Sequence, residues 1–223
     1  MLLKEIYSEY DYNIEITGVQ TDSRFVKPGN LFLPIRGKNF EGDEFFIDAI
    51  TKGAVAIVYD KAIHNLTIPV IIVDNLEKEL FRLIDLIYEK PYNELTMIGV
   101  TGTDGKTSVS TLTSYLLNHL SRCANIGTNG IIYDKEIIDN VFTTPILTQN
   151  YSLLREFSNL GISYVSMEVS SQGIANKRIE GILYDYAIFT NLSHEHLDTH
   201  KTMHNYFLTK LKKRLPGNPR KPF

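Results

Sequence analysis

Residues 95–107 have the sequence LTMIGVTGTDGKT, in which a mostly apolar run passes directly into a glycine-rich segment. The run predicts a buried strand, and the glycines predict a tight turn. Apolar residues then recur at helical spacing, and they are Val109, Leu112, Leu116 and Leu120. The order of strand, glycine turn and helix is typical of a loop that binds phosphate.

The glycine-rich segment carries the groups that bind a nucleotide triphosphate. Backbone N–H groups at a helix start attract phosphate, Lys106 supplies a cation, and the Thr107 hydroxyl can ligate magnesium. The predicted nucleotide contacts are Gly102, Thr103, Asp104, Gly105, Lys106, Thr107 and Ser108. Val100 stands where the general P-loop pattern has its first glycine, and Gly99 comes one residue early. A tight strand-to-helix turn with a solvated lysine is therefore the alternative interpretation.

Residues 99–107, GVTGTDGKT, resemble the ATP loop of the Mur ligase family, the ATP-dependent amide-forming enzymes of peptidoglycan synthesis and their folylpolyglutamate synthetase relatives. Asp104 stands where an asparagine is more usual, which places an extra negative charge near the phosphates. Residues 167–173, MEVSSQG, followed by Arg178 and by FTNL at 189–192, resemble the branch that makes the UDP-N-acetylmuramyl tripeptide. The resemblance implies ATP and Mg²⁺ as cofactors.

Composition places the chain among ordinary globular proteins. It has 223 residues, 43% of them hydrophobic and 22% charged, enough for one large domain or two small ones. A net charge of −3 gives no general attraction to nucleic acid or to an anionic membrane, and no apolar run approaches the roughly 20 residues that span a bilayer. With no secretory signal at the start, we expect a cytoplasmic monomer. The single cysteine, Cys123, is predicted to be a small buried hydrophobic residue.

The apolar pattern predicts an α/β fold with two sheets. We expect a small N-terminal α/β domain over residues 1–93, and an incomplete central domain with a mostly parallel, P-loop-type sheet flanked by helices over 94–212. The further predicted strands are 31–35, 54–58, 70–73, 124–126, 131–132, 163–167 and 184–189. The further predicted helices cover Phe46 to Gly53, Leu80 to about Pro91, and a segment opened by Thr143-Thr144-Pro145 with Leu153, Leu154, Phe157 and Leu160 inward.

The N-terminal segment contains the loop Asp22-Ser23-Arg24, which by itself is ordinary turn chemistry with a solvated arginine. Together with Pro28-Gly29 and Arg36-Gly37, it resembles the N-terminal signature of the Mur ligases that add the third residue and the final dipeptide of the stem peptide. The resemblance implies a domain that binds the UDP end of the substrate. The contacts it implies are Ser23, Lys38, Asn39 and Phe40.

The carboxyl ends of parallel strands lie at one edge of a sheet, where ligands gather. We therefore expect the glycine loop, Thr143-Thr144, Glu168 and His196 to meet there. Magnesium prefers oxygen ligands, and Thr107 and Glu168 offer them. The resemblance adds His196 and Lys210, the second as the lysine that is carbamylated in the family, to the metal site. It also implies muramyl-dipeptide contacts from Thr143, Thr144, Ser170, Asn176 and Arg178.

Three of these assignments have alternatives, and for Lys210 the alternative is an ordinary solvated lysine. His194, Glu195, His196 and Asp198 also permit a zinc site or a purely structural capping cluster. Thr143 and Thr144 also permit a simple helix cap.

The family's reaction implies that ATP phosphorylates the terminal glutamate of UDP-MurNAc-L-Ala-D-Glu and that a diamino acid, diaminopimelate or lysine, attacks the acyl phosphate. The implied catalytic residues are Lys106, His196 and Lys210. We expect the C-terminal amino-acid-binding domain to be absent and the basic segment 213–223 to be a divergent end, with a nucleic-acid-binding arm as the alternative. A non-catalytic remnant that binds UDP-sugar or ATP, or a generic P-loop ATPase, are the competing functions.

Overall fold

The computed structural model describes residues 1–35 and 43–193, and the chain divides into two compact units, Met1–Glu89 and Lys90–Phe223. Both units have an α/β architecture with a sheet that is wholly or largely parallel, as the sequence predicted. Within the described ranges, no helix combines the length and apolar character needed to cross a membrane.

The first unit is built on a parallel sheet of four strands in the order β1-β2-β3-β4. The strands are β1 (Gly18–Gln20), β2 (Asn30–Phe32), β3 (Ala56–Tyr59) and β4 (Val70–Ile72), and the helices are α1 (Leu3–Ile6), α2 (Phe46–Thr51) and α3 (Leu76–Tyr88). The core contains edge-to-face aromatic pairs, with the ring centroids of Phe46 and Tyr59 5.2 Å apart. All four residues of strand β3 are buried, and two of them, Ile57 and Tyr59, belong to this core.

Two boundaries in the first unit follow from local chemistry. The predicted strand 31–35 was wrong in length: β2 ends at Phe32, and Ile35 is exposed. Pro34 explains the early end, since proline has no N–H to continue a ladder of hydrogen bonds. Helix α3 begins at Leu76, four residues before the predicted Leu80, because the Asn75 side chain accepts a hydrogen bond of 2.9 Å from the Lys78 N–H and caps the helix there.

The second unit has a six-stranded sheet in the order β10-β5-β9-β6-β7-β8. Its strands are β5 (Thr96–Thr101), β6 (Cys123–Gly127), β7 (Gly130–Tyr133), β8 (Glu136–Ile138), β9 (Tyr164–Glu168) and β10 (Tyr186–Phe189). Strands β10, β5, β9 and β6 are mutually parallel, whereas β7 and β8 are antiparallel additions at one side. Cys123 is buried as predicted, and burial raises the pKa of its thiol to about 11.

The helices of the second unit are α4 (Lys106–Leu117), α5 (Leu147–Asn159) and α6 (Ser171–Ala175). Helix α4 follows the glycine loop as predicted, but its leucines do not form the buried face, since Leu112 is 57% and Leu116 56% exposed. The buried residues are Ser110 and Ser114. The Ser166 hydroxyl of β9 donates a hydrogen bond of 2.9 Å to the Ser110 carbonyl. The helix therefore meets the sheet through small polar residues.

Helix α5 begins later than the sequence predicted. Its N-cap is Ile146, so Thr143 and Thr144 do not cap it, and that alternative was wrong. The inward residues Leu153, Leu154 and Phe157 are buried as predicted. Leu160 is exposed, contrary to the prediction, because it follows the last helical residue and lies beyond the packed face.

The buried hydroxyl of Tyr88 closes the outer edge of β1 and generates a prediction. It accepts a hydrogen bond of 3.2 Å from the Val19 N–H and donates one of 3.4 Å to the Val19 carbonyl. Y88F leaves that buried N–H unpaired, so we expect the free energy of unfolding to fall by about 1–3 kcal/mol. Urea denaturation measures the change, with Y12F at an exposed tyrosine as the control. Equal stability of Y88F and the wild type would show that the Val19 amide finds another partner.

Candidate functional site

Four parallel strands end at the same edge of the second unit, and the candidate site lies there. Segment 190–193 follows β10, the glycine loop follows β5, Glu168 ends β9, and Gly127 ends β6. A cavity of about 490 Å³ opens between the glycine loop, Thr128, Phe142, Thr143, Glu168 and Arg178. The sheet thus brings together residues that are far apart in the sequence, as the strand-end argument predicted for the loop, Thr143 and Glu168.

The glycine loop has the local geometry of an anion cradle. Gly105 is the N-cap of α4 with a left-handed φ of 75°, and no side chain in the described structure caps this helix start. Its first-turn N–H groups and the helix dipole therefore suit a phosphate anion. The Lys106 ammonium donates to the loop's own carbonyls, at 3.0 Å to Gly102 and 2.7 Å to Thr103. The loop fits a phosphate group, with its lysine at the edge of the cavity.

Segment 190–193 fastens the glycine loop from the other side. The Thr190 hydroxyl donates to the Asp104 carbonyl at 2.6 Å, and the Asn191 side-chain oxygen accepts from the Asp104 N–H at 2.9 Å. The Ser193 N–H donates to the Thr103 hydroxyl at 2.9 Å. A Cβ atom on Gly102 would lie 1.9 Å from the Thr190 hydroxyl oxygen, so this contact requires glycine. The Asp104 carboxylate faces the Ser193 hydroxyl at 3.2 Å.

Glu168 is a buried carboxylate, 1% exposed, that faces the glycine loop. Its Oε2 accepts from the Thr107 hydroxyl at 3.0 Å and from the Thr128 hydroxyl at 3.3 Å, and its Oε1 accepts from the Thr128 N–H at 2.8 Å. The two oxygen groups predicted to ligate magnesium, on Thr107 and Glu168, are therefore adjacent. This donor set fits a hard cation whose remaining ligands include phosphate oxygens. Among the described residues, His, Cys, Asp and Glu form no cluster of three that would hold an ion alone.

Arg178 forms a cationic wall of the same cavity. Its guanidinium lies 4.0 Å from the centre of the Phe142 ring and donates to the Thr144 carbonyl at 3.0 Å. Burial lowers the pKa of Arg178 from its ordinary value. Stacking and this hydrogen bond fix the guanidinium plane, which leaves a directed cation for an anionic group.

The two predicted threonines differ in what they can do. Thr144 is fully buried, and its hydroxyl donates to the Glu168 carbonyl at 2.9 Å and accepts from the Ser170 N–H at 2.9 Å. Thr143 is only partly buried and lines the cavity. Thr144 therefore holds the segments together, whereas Thr143 and Ser170 are placed to face a ligand.

The remaining predicted residues are not part of the cavity lining in the described structure. Asn176 is an exposed C-cap residue of α6 outside the cavity lining, and Ser108 is exposed in the first turn of α4. In the first unit Ser23 is buried and hydrogen-bonds Asp48. Arg24 is paired with Asp22 at 2.6 Å rather than simply solvated. The others lie outside the described residues: Lys38, Asn39, Phe40, His194, Glu195, His196, Asp198 and Lys210.

Sequence reasoning missed several residues that line the cavity, among them Thr128, which bonds Glu168, and Phe142, on which Arg178 stacks. Thr128 follows the short apolar run of β6, so the strand-end argument that identified Glu168 could have found it. Phe142 gave no such signal, because an isolated aromatic residue before Thr143 does not indicate an arginine partner from a later segment.

Comparison with known proteins supplies the family. Residues 100–214, more than half of the chain, match the protein family described as the Mur ligase middle domain. The chain belongs to the Mur ligase family. Residues 15–84 match the description "Mur ligase family, catalytic domain". The resemblance found in the glycine loop is thereby confirmed.

Named Mur ligases are similar over most of this chain. The UDP-N-acetylmuramoyl-L-alanyl-D-glutamate–2,6-diaminopimelate ligase of Haemophilus influenzae strain PittGG is 38% identical over 213 residues, 91% of this chain and 43% of the relative. UDP-N-acetylmuramyl-tripeptide synthetase 2 of Oceanobacillus iheyensis is 41% identical over 202 residues, 88% of this chain and 41% of the relative. The chain thus spans less than half the length of these curated relatives.

Solved Mur ligase structures share the fold. A structure of a UDP-N-acetylmuramoyl-L-alanyl-D-glutamate–2,6-diaminopimelate ligase has a TM-score of 0.67 at 25% identity, over 94% of this chain and 44% of that one. The crystal structure of MurF ligase from Thermotoga maritima in complex with ADP has a TM-score of 0.57 at 23% identity, over 89% of this chain and 42% of that one. The α/β arrangement of this chain is therefore that of the Mur ligases.

The contacts between Asn191 and Asp104 generate a prediction. The Asp104 N–H donates a hydrogen bond to the Asn191 side chain, and N191A removes that acceptor. We therefore expect the Asp104 amide to exchange its hydrogen severalfold faster in N191A, while the amides of β5 remain protected. Hydrogen exchange followed by NMR measures this, with N159A at an exposed position after the middle of α5 as the control. Unchanged exchange at Asp104 in N191A would mean that the segment does not fasten the loop.

Proposed function

We propose that this Mur ligase chain binds ATP and Mg²⁺ at the glycine loop and acts in an ATP-dependent ligation of a diamino acid to UDP-MurNAc-L-Ala-D-Glu. The observation that carries the proposal is the adjacency of Thr107 and Glu168, 3.0 Å apart, beside an uncapped helix start. That pair offers oxygen ligands for a cation at the place where the loop suits phosphate.

We assign roles in this reaction to the charged and hydroxyl-bearing residues of the cavity. Bound ATP supplies the phosphoryl group that makes the glutamate carboxylate an acyl phosphate, with Mg²⁺ to neutralise charge. Lys106 would exchange its carbonyl partners for phosphate oxygens, and Thr107 with Glu168 would hold the ion. Arg178 attracts the carboxylate of the acceptor, and we assign Thr143 and Ser170 as contacts of its peptide part. His196 and a carbamylated Lys210 complete the proposed metal site.

The relatives support the choice of substrates. The Haemophilus influenzae relative is named for diaminopimelate and for the UDP-muramoyl dipeptide, which favours diaminopimelate over lysine as the diamino acid here. We assign residues 1–93, with Ser23, Lys38, Asn39 and Phe40, to the UDP end, and residues 94–212 to ATP and the peptide end. We place the reaction in the cytoplasm, where nucleotide-linked substrates and ATP are found, and expect a monomer.

A second candidate is nucleotide and UDP-sugar binding without ligation. It is favoured by one observation, that the described cavity offers groups for a phosphate at the start of α4 and for a cation at Thr107 and Glu168. Binding needs only these groups, whereas ligation also needs a site for the incoming diamino acid.

Lys106 provides the test of nucleotide binding. K106A removes a charge-assisted contact to phosphate worth about 1.5–3 kcal/mol, so we expect the Kd for ADP with Mg²⁺ to rise roughly 10- to 150-fold. Isothermal titration calorimetry measures the Kd, and K135A, at an exposed lysine, serves as the control. If K106A binds ADP as tightly as the wild type, the glycine loop is not the nucleotide site.

The same preparation distinguishes the candidate functions. Phosphate release that depends on both UDP-MurNAc-L-Ala-D-Glu and diaminopimelate supports ligation. Binding of ADP without any product supports the second candidate. Phosphate release that requires neither substrate would instead indicate a general ATPase and contradict both.

A further inference from the structure

The position of Glu168 depends on the end of the neighbouring strand β6. A Cβ atom on Gly127 would lie 2.1 Å from Glu168 Oε1, which is far inside van der Waals contact. The carboxylate thus occupies the space that any other residue would need at position 127. The next residue, Thr128, supplies both an N–H and a hydroxyl to the same carboxylate.

The directions of the hydrogen bonds between Thr143, Thr128 and Glu168 follow from the single hydrogen that each hydroxyl can donate. A threonine hydroxyl has one hydrogen to donate, and the carboxylate oxygens of Glu168 are acceptors. The Thr128 hydroxyl donates to Glu168 Oε2, so the 3.0 Å contact between the Thr128 and Thr143 hydroxyls must use the Thr143 hydrogen. Thr143 therefore donates to Thr128, and Thr128 donates to Glu168. These two hydrogen bonds link Thr143, a proposed contact of the acceptor substrate, to the Glu168 carboxylate.

A bound cation would affect the hydrogen-bond donors of Glu168 differently. An ion held by Thr107 and Glu168 Oε2 would take the place of the hydrogen bond between these two groups. The Thr128 N–H bonds the other oxygen, Oε1, at 2.8 Å and is compatible with that ion. The Thr128 N–H is thus a donor to Glu168 that a bound ion would leave in place, and the Thr128 hydroxyl lies beside Oε2, the oxygen that would ligate the ion.

We propose that Thr128 is a positioning residue for the divalent-cation site. Thr128 holds the Glu168 carboxylate in its ligating orientation and joins it to Thr143. The inference rests on the proposed function, because it assumes that nucleotide and Mg²⁺ bind at the glycine loop. It adds a residue that acts on the ion through Glu168. The partners that orient a metal ligand typically change metal affinity 10- to 100-fold when removed.

The test compares T128V with T128S, since valine keeps the shape of threonine and removes its hydroxyl, whereas serine keeps the hydroxyl. Mg²⁺ is titrated against each variant of the 223-residue chain in the presence of ADP by calorimetry, and Mn²⁺ binding with ADP is followed by electron paramagnetic resonance. We expect T128V to weaken the apparent metal affinity roughly tenfold or more, and T128S by less than about threefold. ADP affinity in excess EDTA should be the same in both. T113V, at a half-buried threonine of α4, is the matched control.

A second variant tests the placement of the carboxylate itself. G127A should displace Glu168 and weaken metal affinity at least as much as T128V, and thermal melting shows whether it remains folded. If G127A unfolds, the comparison of T128V with T128S still tests the inference. Metal affinity in T128V within threefold of a wild type that shows metal-dependent ADP binding would overturn the inference alone. A wild type without metal-dependent ADP binding would overturn the proposed function, and the inference with it.

Discussion

The hydrogen bonding of one buried carboxylate organises the second unit of this Mur ligase chain. Removing an ionised carboxylate from water costs several kcal/mol or more unless donors replace the lost water. Glu168 receives them from Thr107, after β5, and from Thr128, after β6, while its own residue ends β9. Three strand ends are therefore tied to one side chain, and the cavity takes its shape from that constraint.

The sequence predicted those features that depend on local pattern. The glycine loop and its helix follow from a buried run, a glycine turn and Lys106, all within one short stretch. Glu168 could be placed beside the loop because it directly follows an apolar run, and parallel strands share their carboxyl edge. The same argument was available for Thr128, whose strand β6 is short and ends in a glycine turn.

Features that depend on a tertiary partner were not predictable. The stack of Arg178 on Phe142 joins residues from different segments, and neither residue indicates the other in the sequence. The buried hydroxyl of Thr144 bonds the backbone of Glu168 and Ser170, although the sequence permitted a helix cap. The leucines of α4 have helical spacing, yet spacing shows only that they share a side of the helix. Which side is buried is decided by the sheet.

The serine-lined contact between α4 and the sheet has a mechanical consequence. Leucine side chains can slide over one another with small changes in energy, whereas the bond from the Ser166 hydroxyl to the Ser110 carbonyl has a narrow range of length and angle. Rotation of α4 about its axis, or a shift along it, would break that buried hydrogen bond. This hydrogen bond therefore restrains both the rotation of α4 about its axis and its position on the sheet. The start of α4, which faces the cavity, is held in a fixed orientation as a result.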